Sequence, residues 1–293
     1  ALTPGTSWGV LAIAQNFPWR SQDRIVLFRG EFPTNVTPWQ QAAQQHSLQL
    51  SYLEAEDFRQ SKGLELLERE LQKGVRLLAV SAVQFQSGLR MPLEDIVQLC
   101  RSYGCQVFVD AIQACGVVPI APQHLGIDYL AGGAHKWLMA SEGCGFLYVA
   151  PERQSDLRRH WSAWLSHQDP IRFLFEGPGE LRYDRPLREE IQALELGSSS
   201  AFSQVALEAS LTLLLELGID KIFEHVQHYL DALEPALVAM GFTSRRSRQA
   251  RSGILALELP QGVKAAPLAA QLREHGIHVS TPDGLLRIAA HWP

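Results

Sequence analysis

The sequence predicts an α/β fold: a mostly parallel sheet flanked by helices, followed by a smaller C-terminal α+β unit. Three observations point there. Short runs rich in Val, Leu, Ile and Phe alternate with stretches of helical periodicity, the pattern of βαβ units. The chain has 293 residues and 46% hydrophobic content, enough for one large or two medium cores. Its buried-looking runs are only four to eight residues long, a length that suits strands rather than helices.

The elements follow in order. Thr3 to Ser7 is a turn of small and hydroxyl residues that feeds a helical run, Trp8 to Ala14. Arg24–Arg29 is a strand, 37–46 a helix and Leu48–Leu53 a strand. Gly63–Lys73 is amphipathic through Leu64, Leu66, Leu67 and Leu71, and Arg76–Val83 is a buried strand. Leu93–Tyr103 is helical and Gln106–Asp110 is a short apolar strand. Strands at Ile127–Leu130 and Gly145–Val149 bracket the turn that carries Lys136. From Pro151 to Leu194 periodicity fades, and this stretch reads as an irregular excursion that either shapes a pocket or covers the surface. Ala201–Leu217 and 219–241 are helices broken at Gly218. Gly253–Leu259, His278–Ser280 and Leu285–Ala289 are strands around a helix at Ala265–Glu274. The division expected is 1–218 for the large domain and 219–293 for the small one.

Bulk properties exclude several classes. The net charge is −5, and no basic stripe with interleaved aromatics marks a nucleic-acid partner. No apolar run reaches transmembrane length, so no membrane partner is expected. Cys100, Cys105, Cys115 and Cys144 lack metal-type spacing and read as reduced thiols of a cytoplasmic protein. The chain opens at Ala1, without Met, inside what looks like a functional loop, so a processed or partial chain is expected.

A few residues stand out chemically. Lys136 lies in A-G-G-A-H-K-W-L-M, between two core strands. Burial there would lower its pKa and make the amine a nucleophile; otherwise its stem snorkels to water. Asp110 closes a strand at its carboxyl end, where open α/β sheets bind ligands, or caps the next turn. Thr6 and Ser7 open a helix, a place for a phosphate or for an ordinary cap. His135 is either a site residue or a core histidine with one backbone bond. Arg287, within Leu285-Leu-Arg-Ile-Ala289, calls for a carboxylate or phosphate, or else snorkels from an edge strand.

Taken together, V-D-A-I-Q (109–113), A-H-K-W-L (134–138), Gly197-Ser198 and L-R-I resemble the class V aminotransferase family of pyridoxal-phosphate (PLP) enzymes. The likeness runs over nearly the whole chain. It implies fold type I with a seven-stranded, mostly parallel sheet. Under it, Lys136 forms the Schiff base with PLP and Asp110 pairs with the pyridine nitrogen. Thr6, Ser7 and His135 bind the phosphate, while Gln113 and Gln84 (or Gln86) lie near the phenolic oxygen. Phe32 stacks on the ring, and Arg287 clamps the carboxylate of an amino acid or amine substrate. Ser198 is contributed to the neighbouring site of a homodimer.

The sequence also departs from that family. Phe32 stands where desulfurases commonly have a histidine that moves protons, and no cysteine follows Cys144. A cysteine desulfurase is therefore disfavoured, since sulfur transfer needs a thiolate acceptor. The leading expectation is an aminotransferase-type PLP enzyme. The alternatives are a β-eliminating lyase acting on C–S bonds and a catalytically inactive scaffold with a PLP fold.

Overall fold

The computed structural model describes residues 1–293. The elements run β1 (Leu2–Thr3), α1 (Thr6–Asn16), β2 (Arg24–Arg29), α2 (Thr37–His46), β3 (Gln49–Glu54), α3 (Lys62–Leu71), β4 (Val75–Ser81), α4 (Leu93–Ser102) and β5 (Gln106–Asp110). They continue with α5 (Pro122–Leu125), β6 (Tyr129–Gly133), β7 (Gly145–Val149), α6 (Ala201–Leu217), α7 (Ile219–Ala239), β8 (Thr243–Ser244), β9 (Ile254–Glu258), α8 (Ala265–Glu274) and β10 (Leu286–Ala289). Seven strands form one sheet in the order β1-β7-β6-β5-β4-β2-β3, and β10-β9-β8 form a second. In the large sheet β3, β2, β4, β5 and β6 run parallel; β7 runs against them, and the edge strand β1, antiparallel to β7, points with the five again.

The central strands are buried on both faces, as parallel strands covered by crossover helices must be. Strand alternation sorts their side chains. Val107 and Val109 join one cluster, whereas Phe108 between them joins the other. The Phe108 side is covered by Val10 and Ile13 of α1 and by Trp39 of α2. The opposite side takes Leu67 of α3, Ile96 of α4 and Val226 of α7. Ile254, Leu255 and Leu257 of β9 and Leu286 of β10 belong to that opposite side too. Burying each such side chain stabilises by roughly 1.5–3 kcal/mol. The small sheet, and with it Arg287, is thereby held against the large one.

Close approach sets the height of α1. A Cβ at Gly9 would lie 2.6 Å from Ala131 Cβ on β6, so only glycine lets the helix rest on the strand. This seating places the α1 N-terminus beside the end of β6.

Some expectations are corrected. Helix α1 begins two residues earlier than periodicity suggests, and β1 and the short α5 were not foreseen. His278–Ser280 is not a strand: its one ladder contact is the bridge between Ser280 and Arg287. The turn at Pro282–Gly284, with Asp283 at φ 49°, leads the chain away after one residue pair. The excursion from Pro151 to Leu194 holds only short 3-10 turns. It lies against α1, with the Trp161 ring packed on Trp8 at 4.7 Å and the Trp161 backbone N–H donating to Asn16 Oδ1 at 3.0 Å. No single helix is long and apolar enough to cross a membrane, and α6 and α7 meet at 78°. All four cysteines are free.

Candidate active site

Because β2, β4, β5 and β6 are parallel, their carboxyl ends share one edge, the edge at which open α/β sheets bind ligands. Glu31, Ser81, Asp110 and the Lys136 turn follow from those four ends. The turn is closed by Met139 N–H donating to the Lys136 carbonyl and Ala140 N–H to that of Ala134, both at 2.9 Å.

Two cavities of about 530 Å³ each meet at Lys136 and Phe32, which line both. The first contains Gly5, Thr6, Ser7, Thr34, Asp110 and His135. The second contains Phe85, Gln113, Trp137, Arg287 and His291. Lys136 Nζ lies 5.7 Å from the centre of the Phe32 ring, and Phe32 meets Phe85 edge to face at 5.4 Å.

The first cavity suits an anion at one end. Helix α1 starts with no side-chain cap and no acidic residue in its first turn. Trp8 N–H turns back onto the Gly5 carbonyl at 3.1 Å, which leaves the Thr6 and Ser7 N–H groups without acceptors and the helix dipole uncompensated. Thr6 Oγ1 is buried without a hydrogen-bond partner. Ser7 Oγ sits 2.7 Å from Thr34 Oγ1. His135 is exposed at the cavity wall, so it is not a core histidine.

Asp110 is 2% exposed. One carboxylate oxygen accepts from Ile112 N–H at 3.0 Å, so the local-turn role also holds, and the other has no hydrogen bond. Burial pushes its pKa up to about 7, helped by the charge of Glu31 and opposed by the Ile112 bond and Lys136. Lys136 is held below the usual lysine range, by burial first and, against the pull of Asp110, by the nearby Arg287 cation. Neither Lys136 nor Asp110 forms an ion pair within 4.0 Å.

Arg287 is lowered by burial as well and also has no carboxylate partner. It donates to Ser280 Oγ at 3.2 Å and to Gln113 Oε1 at 3.4 Å, and its Nε is buried without an acceptor. A half-buried cation whose donors are only partly satisfied suits a carboxylate.

Other expected residues lie elsewhere. Gln84 lines neither cavity; its amide is committed to Glu31 at 3.0 Å, because that buried carboxyl needs donors. Gln113 faces the second cavity, and its Oε1 also accepts from Trp137 Nε1 at 3.2 Å. Ser198 is exposed in a neighbouring cavity that shares Pro4, Trp8 and Gly143 with the first. The 151–194 excursion lines neither main cavity.

Two site residues escaped sequence reasoning. Glu31 lies two residues past the end of β2, a carboxyl near a strand end that the rule applied to Asp110 could have found. His291 stacks on Trp137 at 5.0 Å and 23°. Strand alternation from Arg287 through Ala289 reaches it, and all three line the second cavity.

The residues present fit PLP. An uncapped helix end with a waiting hydroxyl suits the phosphate, Asp110 suits a pyridine nitrogen, and the depressed amine of Lys136 suits an aldehyde. The model of the family described as Aminotransferase class-V matches residues 2–286. The uncharacterized aminotransferase YcbU of Bacillus subtilis is 24% identical, over 100% of this chain and 74% of that protein. A cysteine desulfurase of Klebsiella pneumoniae is 27% identical, over 94% of this chain and 66% of that one. The chain thus spans about two thirds to three quarters of the length of these relatives. Among solved structures, the apo cysteine desulfurase of Thermococcus onnurineus NA1 superposes with a TM-score of 0.88 at 22% identity, covering 100% of this chain and 74% of that one. The cystine C-S lyase C-DES gives 0.90 at 20% identity, covering 100% and 77%. The chain belongs to the class-V aminotransferase family and is a PLP-dependent enzyme of fold type I.

Proposed function

We propose that this enzyme acts on an amino acid in the manner of an aminotransferase. The observation that carries the reading is the position of Lys136 at the junction of two cavities. One offers an uncapped helix end and the other an arginine without a carboxylate partner.

When bound, PLP supplies an electron sink for charge that develops at the substrate Cα. Thr6, Ser7 and the α1 N-terminus hold its phosphate, and Asp110 in its ionised form keeps the ring nitrogen protonated. Phe32, which lines both cavities, would offer an apolar surface to the ring but carries no exchangeable proton. Arg287 takes the substrate carboxylate by its fork and sets the amino group toward Lys136. The Lys136 amine, once free, takes and returns the proton at Cα. No cysteine lines either cavity, so the chain offers no sulfur acceptor there, and desulfuration is not proposed.

We also infer a homodimer in which Ser198 reaches the neighbouring site. Beside it, α6 leaves Phe202, Val205 and Leu215 exposed, with Phe202 91% accessible.

Protein loaded with PLP should absorb in the visible range, and Lys136→Ala should abolish that band. Amino-acid titration with a keto-acid acceptor should then yield the new amino acid. Release of pyruvate without any acceptor would replace transamination by β-elimination. Wild-type protein that never takes up PLP would sink the whole reading.

A further inference from the structure

Glu31 is the one buried carboxyl beside the site to which the reaction gives no role. It is 8% exposed and has no cationic partner. Its Oε1 accepts from Ser81 N–H at 2.7 Å and from Gln84 Nε2 at 3.0 Å, and Oε2 accepts from Ser81 Oγ. Those three donors all come from β4 or the residues just after it. The carboxyl therefore ties the loop that carries Phe32 to the end of β4. Ser81 is in turn the register partner of Asp110, whose carbonyl accepts from Ala82 N–H at 2.8 Å. Two buried carboxyls, one bound only by neutral donors, thus flank the same strand ends.

We propose that Glu31 is a positioning residue of the cofactor site: clamped to β4, it fixes the Phe32 loop, and its charge governs the pH at which Asp110 ionises to receive the ring nitrogen. This rests on the PLP reading of the site. Ser81 stands between them, bonded to one carboxyl and paired in register with the residue that carries the other; like charges on neighbouring strand ends in a dry environment disfavour each other, so a proton taken by either favours ionisation of the other. The groups that face Asp110 are Glu31 from the loop after β2, Lys136 from the turn after β6 and Cys115 beyond β5. Burial pushes the Cys115 thiol up to about 12, so it stays neutral. Lys136 is the one charge that opposes Glu31, alongside the Ile112 hydrogen bond. Burial also raises Glu31 itself, against the hydrogen bonds from Ser81 and Gln84.

The test is the pH dependence of PLP affinity, read by absorbance between about pH 5 and 9, in the full chain. Wild-type affinity should fall below about pH 7 as Asp110 takes up a proton. Glu31→Gln keeps the shape and removes the charge, so the fall should move to lower pH. Ser81→Ala weakens the hold on the ionised Glu31 and should move it the same way by less. A loss of affinity in Glu31→Gln that is equal at every pH would mean a merely structural role and overturns the inference; so would an unmoved midpoint in both variants. If no variant binds PLP, the thermal midpoint of the cofactor-free chain against pH still decides. The part of the pH slope that Asp110→Asn removes should lie at lower pH in a Glu31→Gln background than in the wild-type background, and the same Asp110-dependent slope in both backgrounds overturns the inference whatever the fate of the PLP reading.

Discussion

Arg287 and Gln113 meet across 174 residues of chain: Nη2 of the arginine donates to Oε1 of the glutamine at 3.4 Å. The same oxygen accepts from Trp137 Nε1, one residue after Lys136. Gln113 thus links Arg287 to the Lys136 turn. Gln113→Glu would give Arg287 a carboxylate within the chain, in competition with the substrate. We expect KM for amino acids to rise about tenfold, equivalent to about 1.4 kcal/mol of lost binding, with a smaller change in kcat. Steady-state kinetics of the two proteins against one amino acid check this.

Thr6 carries a hydroxyl buried without a partner. Leaving such a group unsatisfied costs about 1–3 kcal/mol. Thr6→Val, similar in volume, should raise the thermal midpoint of the cofactor-free protein while weakening PLP binding. Opposite signs in the two measurements mark a residue kept for a ligand. A variant less stable without PLP would show that Thr6 serves the fold alone.

Asp110 should make the cofactor-free protein less stable as pH rises. Its folded pKa of about 7 lies above the ordinary aspartate range, so the folded chain binds this proton more tightly than the unfolded chain. The resulting contribution is fully present below about pH 4 and is lost as pH rises through about 7, at most about 4 kcal/mol. Asp110→Asn should flatten that slope in thermal scans taken between about pH 4 and 8. An unchanged slope would place the titration elsewhere.

Gly9 gives a purely steric prediction. An alanine there would put its Cβ 2.6 Å from Ala131 Cβ, well inside contact. We expect a loss of about 1–3 kcal/mol in stability, as for overpacked cores. PLP affinity should fall further, because α1 must lift off β6 and carry its N-terminus away from the site. Chemical denaturation and PLP titration of Gly9→Ala give the two numbers.

His291 stacks on Trp137 at the wall of the second cavity. Burial lowers its pKa, opposed by the backbone carbonyl of Lys136, so the ring is neutral above its ordinary titration range. His291→Ala should loosen the Lys136 turn and reduce kcat several-fold with PLP affinity nearly unchanged. A drop in PLP affinity as large as the drop in kcat would contradict this division of roles.

Most of the large sheet was legible in the sequence because its strands are buried on both faces. That leaves continuous apolar runs, such as Leu77-Leu78-Ala79-Val80 of β4, in plain view. Lys136 and Asp110 were legible for the reverse reason: charged residues at the ends of such runs are costly unless a site uses them. The motif order was therefore enough to determine the family and the cofactor. Tertiary structure alone decided that Gln84 serves Glu31, that Gln113 serves Arg287, and that His291 joins the second cavity. These depend on which donor lies within about 3 Å of which acceptor after strands far apart in sequence have packed. Periodicity along one strand carries no information about that distance.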